Sequence, residues 1–312
     1  MRIRFWGVRG SLPTPLSSAQ VRSKISATLE RLTPADLESP ETRERFLANL
    51  PPWIFGTVGG NTPCVEVRTE ENKVIILDAG SGIRELGLAL AKERPRPDSF
   101  TLLFSHLHWD HIQGLPFFGP AYDPSARIDF YAPIPNFEAA LREQMKAPFF
   151  PVPMDVMGAK KRFYELDSAL RLEGATINWR RMNHPGSSFA YAVSEGLKRF
   201  VYATDTELSS DDFLRKDENA AFFGGADLLV LDSQYTLGEA IEKYSWGHTA
   251  FSLAADFASN WGIRKLVLFH HDPTYDDRKL HGILQSAHWY IDHMSIKGVE
   301  VMLATEGTEI TL

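Results

Sequence analysis

Short apolar runs closed by polar or glycine-rich segments recur along this chain, a pattern that predicts buried strands alternating with helices. Met1-Arg2-Ile3-Arg4-Phe5-Trp6 alternates polar and apolar as a strand does, and Gly7-Val8-Arg9-Gly10-Ser11-Leu12-Pro13 follows as a loop. A second loop, Gly59-Gly60-Asn61-Thr62-Pro63, leads into a strand over residues 64–68. Residues 73–77 form a strand that ends at Asp78, and Ala79-Gly80-Ser81-Gly82 turns it into a helix through Leu86 and Leu90. Further strands are predicted at 101–104 and 128–131, then a helix at 136–146. Ala147-Pro148-Phe149-Phe150-Pro151-Val152-Pro153 cannot continue that helix, and reads either as the roof of a pocket or as a packed connector. The second half repeats the logic, with strands near 176–182, 189–193, 199–203, 228–231 and 265–269 and covering helices near 249–261 and 276–296.

One stretch departs from this rhythm. Val21, Ile25, Leu29 and Leu32 recur at helical spacing with Ser18 as N-cap, and Phe46 and Leu50 follow beyond Pro40. Two helices inserted between early strands, over about 17–56, are expected. Their apolar stripe predicts packing on the parent domain, with a dimer contact or an active-site lid as the other readings.

At 312 residues the chain exceeds the usual domain size, but layered α/β folds often reach this length as one unit, so a single domain over 1–312 is expected. A hydrophobic fraction of 44% and seven tryptophans provide material for its core. No apolar run approaches the roughly 20 residues that span a bilayer, so no membrane partner is expected. The first residues lack the apolar stretch of a secretory signal, and the lone Cys64 cannot form an internal disulfide, both of which point to the cytoplasm. A net charge of −7 argues against general nucleic-acid binding, while leaving room for a small anion held by metals.

The chemistry concentrates in Ser105-His106-Leu107-His108-Trp109-Asp110-His111, directly after an apolar strand. Imidazole nitrogens and a carboxylate suit zinc and its first-row neighbours, and one cysteine cannot build a thiolate-rich structural site. His106 and His108 alternate as on an extended chain, whereas Asp110 and His111 follow as it turns into a helix, so the two pairs can face two neighbouring metals. Three later strands also end in polar groups: Asn183-His184, Thr204-Asp205-Thr206 and His270-His271-Asp272. The Gly80-Ser81-Gly82 turn lacks the lysine of a phosphate-binding loop and is weak as a phosphate cradle.

This ordered set, His106-x-His108-x-Asp110-His111, then His184, Asp205 and His270, resembles the metallo-β-lactamase superfamily, with Asp78 matching its early aspartate. The resemblance implies an α/β fold, the four-layer αββα sandwich, with a dinuclear site between the two sheet edges. It implies that His106, His108 and His184 hold one metal, that Asp110, His111 and His270 hold the other, and that Asp205 bridges them. Two divalent ions are implied, zinc first, with manganese and iron as further candidates. Register with the family's last motif favours His270 over its neighbour His271 as the ligand.

Arg4-Phe5-Trp6-Gly7-Val8-Arg9-Gly10-Ser11, Gly60-Asn61-Thr62, Leu77-Asp78-Ala79-Gly80-Ser81-Gly82 and Trp246-Gly247-His248-Thr249-Ala250 are similar to the branch that includes RNase Z and the PhnP-like cyclic phosphodiesterases. The resemblance places His248 by the metals, where general-acid work on the leaving oxygen is expected. Asp78, Asp110 and His248 make the expected catalytic set, Asp78 by orienting the bridging water or a ligand histidine. The leading function is hydrolysis of a small phosphodiester, a cyclic nucleotide or cyclic phosphate. The runner-up is a tRNA 3′-processing endonuclease, which would grip its substrate with a basic arm that has no counterpart here. A carbonyl hydrolase of lactamase or thioesterase type ranks lower, because the Gly-His-Thr element has no obvious purpose there. The inserted helices and the habits of the branch suggest a homodimer.

Overall fold

Val74 to Leu77 is buried on both faces, which explains why it reads as a continuous apolar run rather than an alternating one. Ile75 and Leu77 face a core shared with a second sheet, while Val74 and Ile76 face a separate core beneath the helix Ile83–Leu90. The same division holds throughout the computed structural model, which describes residues 1–172 and 174–312.

The first sheet contains β1 (Arg2–Gly7), β2 (Cys64–Arg68), β3 (Val74–Leu77), β4 (Ser99–Leu103), β5 (Arg127–Ala132) and β6 (Lys160–Glu165). The second contains β7 (Leu170–Leu172), β8 (Ala175–Met182), β9 (Ser188–Glu195), β10 (Lys198–Ala203), β11 (Leu228–Asp232), β12 (Lys265–Phe269) and β13 (Glu300–Leu303). The chain then returns to the first sheet as β14 (Glu309–Thr311), pairing Ile310 with Ile3. The resulting orders are β14-β1-β2-β3-β4-β5-β6 and β13-β12-β11-β10-β9-β8-β7.

Strands β3 to β6 run parallel, as do β10 to β13. Phe5, Val65 and Val67 of the first sheet share a core with Tyr191, Val193, Tyr202 and Leu231 of the second. Helices Phe251–Asn260 and Asp277–His293 cover the second sheet through Ala254, Phe257, Leu280 and Ile283. Helix, sheet, sheet and helix therefore stack in the four layers expected.

The insertion differs from expectation. It forms helices Ser18–Leu29, Pro40–Ala48 and Pro52–Phe55 with a 3-10 turn at Pro34–Leu37, and Ser17 rather than Ser18 caps the first through a capping box with Gln20. The stripe does not pack on the parent domain: Val21, Ile25 and Leu29 are 42%, 56% and 62% exposed. Lys24 fastens this helix instead, reaching the buried Asp277 at 2.7 Å and the carbonyl of Gly56 at 2.8 Å. Periodicity identifies an apolar face but not what meets it. Among the described residues, no helix is long and apolar enough to cross a membrane.

Candidate metal centre

Parallel strands deliver the ends of their chains to one edge, and in open α/β sheets that carboxyl edge is where ligands bind. Asp78 follows β3, the segment His106 to His111 follows β4, His184 follows β8, Asp205 follows β10, Asp232 ends β11 and His270 follows β12. Three of these residues have left-handed backbones, with φ of 63° at Asp78, 50° at Asp205 and 62° at His270. Non-glycine residues enter that region at a cost, and here it turns a side chain off the end of each strand into the gap between sheets.

Two clusters of the expected ligands result, and a third group of donors, Asp205, Asp232, His248 and His270, overlaps the second. His106, His108, His184 and Asp205 converge so that one donor atom from each lies within 4.8 Å of the others, and Asp110, His111, Asp205 and His270 do the same. Asp205 belongs to both. Its Oδ1 lies 3.7 Å from Nε2 of His106 and of His184, and its Oδ2 lies 3.1 Å from Nε2 of His111 and 3.2 Å from Nε2 of His270. Oδ2 of Asp110 is 3.2 Å from the same two nitrogens of His111 and His270. All seven metal-site residues expected from the sequence are thus brought together.

The far side of each ring explains which nitrogen faces inward. Nδ1 of His111 is 2.9 Å from Asp78 Oδ2, Nδ1 of His184 is 2.9 Å from the Gly247 carbonyl, and Nδ1 of His270 is 3.0 Å from Gln234 Oε1. An acceptor there keeps the proton on Nδ1 and leaves the Nε2 lone pair free to coordinate. His106 turns Nδ1 to Ser105 Oγ at 3.1 Å, and His108 presents Nδ1 to the cluster, 3.3 Å from His184 Nε2. Two glycines make room: a Cβ at Gly10 would stand 2.5 Å from His270 Nδ1, and one at Gly247, where φ is 87°, would stand 2.3 Å from His184 Nδ1.

The donor set fits divalent cations. Nε2 of His106 and of His111 are buried without a hydrogen-bond partner, a costly arrangement unless something binds there. Burial alone would raise the carboxyl groups of Asp110 and Asp205, yet the surrounding imidazoles hold both well below the usual range. Burial holds His106 neutral, whereas Asp110, Asp205 and Asp78 together override burial at His111 and push it upward. Three carboxylates around one imidazole are an excess of negative charge that a cation relieves.

Asp78 lies behind the clusters, fully buried. Its Oδ1 accepts from the Ser105 amide at 2.7 Å, and its Oδ2 accepts from Ser105 Oγ, His111 Nδ1 and the Tyr202 hydroxyl at 2.7, 2.9 and 2.8 Å. Of the two jobs expected of it, this geometry fits orienting a histidine. His271 turns away, its Nε2 donating to the Ala304 carbonyl at 2.9 Å, and burial lowers it to about 3.

The helix expected near 249–261 begins at Phe251 with Ala250 as its cap, so His248 lies in the loop that precedes it. What holds it is Asp232 at the end of β11, a residue with no motif of its own in the sequence. Oδ2 of Asp232 accepts a hydrogen bond from His248 Nδ1 at 2.6 Å and Oδ1 accepts one from the Thr249 amide at 3.0 Å. Burial would lower His248, but Asp232 overrides it and lifts the imidazole to about 9. The His248 ring stacks on His270 with centroids 5.0 Å apart, so its free edge borders the second cluster.

Comparison with known proteins identifies the family and the fold. A family model described as the beta-lactamase superfamily domain matches residues 73–271. Ribonuclease Z of Ignicoccus hospitalis is 27% identical over 253 residues, covering 66% of this chain and 81% of that protein. Ribonuclease Z of Salinispora arenicola is 30% identical over 115 residues, covering 35% of this chain and 31% of that protein, so the match spans under a third of that relative. The metallo-beta-lactamase fold protein YhfI from Bacillus subtilis superposes with a TM-score of 0.64 at 16% identity, over 99% of this chain and 98% of that one. A diphosphatase from the PhnP family superposes with a TM-score of 0.62 at 18% identity, over 100% and 97%. At these identities the structural likeness is one of fold.

Proposed function

The chain belongs to the beta-lactamase superfamily and is a hydrolase of that fold, and from this membership we propose that it uses two divalent cations to cleave a small phosphodiester, a cyclic nucleotide or related cyclic phosphate. His106, His108 and His184 would hold one cation, Asp110, His111 and His270 the other, and Asp205 both. Nitrogen and carboxylate donors without thiolate accept zinc, manganese or iron. Bound there, two dications would supply an activated water and a clamp for the phosphate oxygens.

The observation that carries the reading is the His248–Asp232 pair at the rim of the clusters. With Nδ1 committed to Asp232, only Nε2 of His248 is free to give up a proton, and the leaving alkoxide of a phosphodiester needs one. Asp232 stabilises the imidazolium and fixes the ring's orientation, as the carboxylate of a catalytic triad does. Asp78 acts one step further back, holding His111 by its Nδ1.

A second reading, endonucleolytic processing at the 3′ end of tRNA, is favoured by the two relatives named ribonuclease Z. The net charge of −7 weighs against it, since a polynucleotide ligand needs many Lys and Arg contacts. Turnover by the manganese- and zinc-loaded protein on 2′,3′- and 3′,5′-cyclic nucleotides, a pre-tRNA and a β-lactam separates the readings. Cleavage of cyclic nucleotides alone supports the first, cleavage of pre-tRNA the second, and cleavage of the β-lactam alone contradicts both.

A further inference from the structure

Leu107 and Trp109 alternate along the chain with His106, His108 and Asp110, so the segment that feeds the metal clusters also forms the wall of a neighbouring cavity. We propose that this cavity is the subsite for the base of a nucleotide substrate, with Trp109 as its stacking platform. The inference takes its reaction from the phosphodiesterase reading but stands on its own for binding.

The cavity measures about 450 Å³ and is lined chiefly by Leu107, Trp109, Pro116, Phe149 and Phe150. Phe149 and Phe150 come from the proline-aromatic loop, which therefore borders a pocket. Trp109 is 76% exposed and Phe149 66% exposed. Leaving large aromatic faces open is unfavourable in water, and beside a catalytic site it indicates a ligand with apolar faces. Phe150 is steadied by an edge-on contact with Phe117 at 5.7 Å, so that part of the wall is in place before a ligand arrives.

The polar groups narrow the ligand. Glu143, Gln113 and Gln144 also line the cavity; Glu143 is paired with Lys146, and each amide spends one N–H on the protein, Gln113 Nε2 donating to Thr62 Oγ1 at 3.0 Å and Gln144 Nε2 to the Ile112 carbonyl at 3.2 Å. An amide so anchored still has a second N–H and a carbonyl oxygen to offer. A nucleobase has the matching properties, two apolar faces for the aromatic walls and an edge of donors and acceptors for the amides. An acyl chain would leave the amides unused, and a bare sugar phosphate would leave the aromatics exposed.

The test is calorimetric binding of adenosine 5′-monophosphate and of ribose 5-phosphate to the metal-loaded protein, with metal content measured in parallel. The nucleotide is expected to bind at least about tenfold more tightly, as stacking on an exposed aromatic would give. In Trp109→Ala and Phe149→Ala the ratio of the two affinities should fall toward one, and Trp109→Phe should recover most of it. Equal affinities in the wild type, or a ratio that survives both alanine substitutions, would overturn the proposal. If Trp109→Ala sheds metal, Phe149→Ala, which comes from a separate loop, decides. A base preference without phosphodiester turnover would keep the subsite and remove the reaction, while turnover without a base preference would do the reverse.

Discussion

Nδ1 of His248 and Oδ2 of Asp232 are 2.6 Å apart, a charge-assisted hydrogen bond between a loop and the end of β11. Residues acting as one unit do not contribute additively. Asp232→Asn should therefore lower kcat by about 10²-fold or more, His248→Ala by a similar factor, and the double variant little further. Steady-state kinetics beside metal content checks this, and additive losses would mean that the two residues work separately.

Asp205 is shared by both clusters, its two oxygens directed one to each. Asp205→Ala should lose both cations and activity together, read as metal per chain after dialysis. A variant that keeps one tightly held cation would show that Asp205 serves a single site.

Asp78 supports the clusters directly through His111 and, one hydrogen bond further away, through Ser105 to His106. Asp78→Asn should weaken the cation held by His111 by about 10- to 100-fold in affinity, as for other supports of ligand histidines, and the cation held by His106 by less. Excess metal should restore activity. Loss of activity at full occupancy would give Asp78 a direct part in the chemistry.

Gly247 combines a φ of 87° with a position where any Cβ meets His184. Gly247→Ala should cost about 1–2 kcal/mol in backbone strain alone. It should also shrink the rise in Tm that saturating metal produces, because His184 is displaced from its cluster. Melting curves with and without metal separate the two effects.

Lys24 carries the ion pair that holds the first inserted helix against the buried Asp277. Lys24→Met should destabilise the protein by about 1–3 kcal/mol, since Asp277 keeps Arg9 at 3.7 Å but loses its nearer partner. Denaturant unfolding measures it, and an unchanged midpoint would show the helix to be held by something else.

The sandwich and the metal residues were legible because their signals are local. Residues 106–111 place four donors in one short segment, β3 is an unbroken apolar run that ends at Asp78, and β4 and β12 close on apolar residues shortly before His106 and His270. Asp232 was not legible, since an aspartate after Leu228-Leu229-Val230-Leu231 looks like a turn residue until the fold brings His248 to it. The strands β6, Lys-Lys-Arg-Phe-Tyr-Glu, and β14, only Glu-Ile-Thr, were missed as well. One is a charged edge strand and the other is too short to show a period, so pairing rather than pattern defines them. The exposed stripe of Val21, Ile25 and Leu29 failed in the opposite sense, a clear helical period with no core behind it.

The most direct test of the central claim compares His248→Ala with the wild type on two phosphodiesters that differ in leaving group, with both proteins fully metal-loaded. Bis(p-nitrophenyl) phosphate releases a phenolate that departs without a proton, whereas a cyclic nucleotide releases an alkoxide that needs one. If His248 is the general acid, the variant loses about 10²-fold or more on the cyclic nucleotide and far less on the aryl ester. Equal losses on both substrates at unchanged metal content would contradict that role.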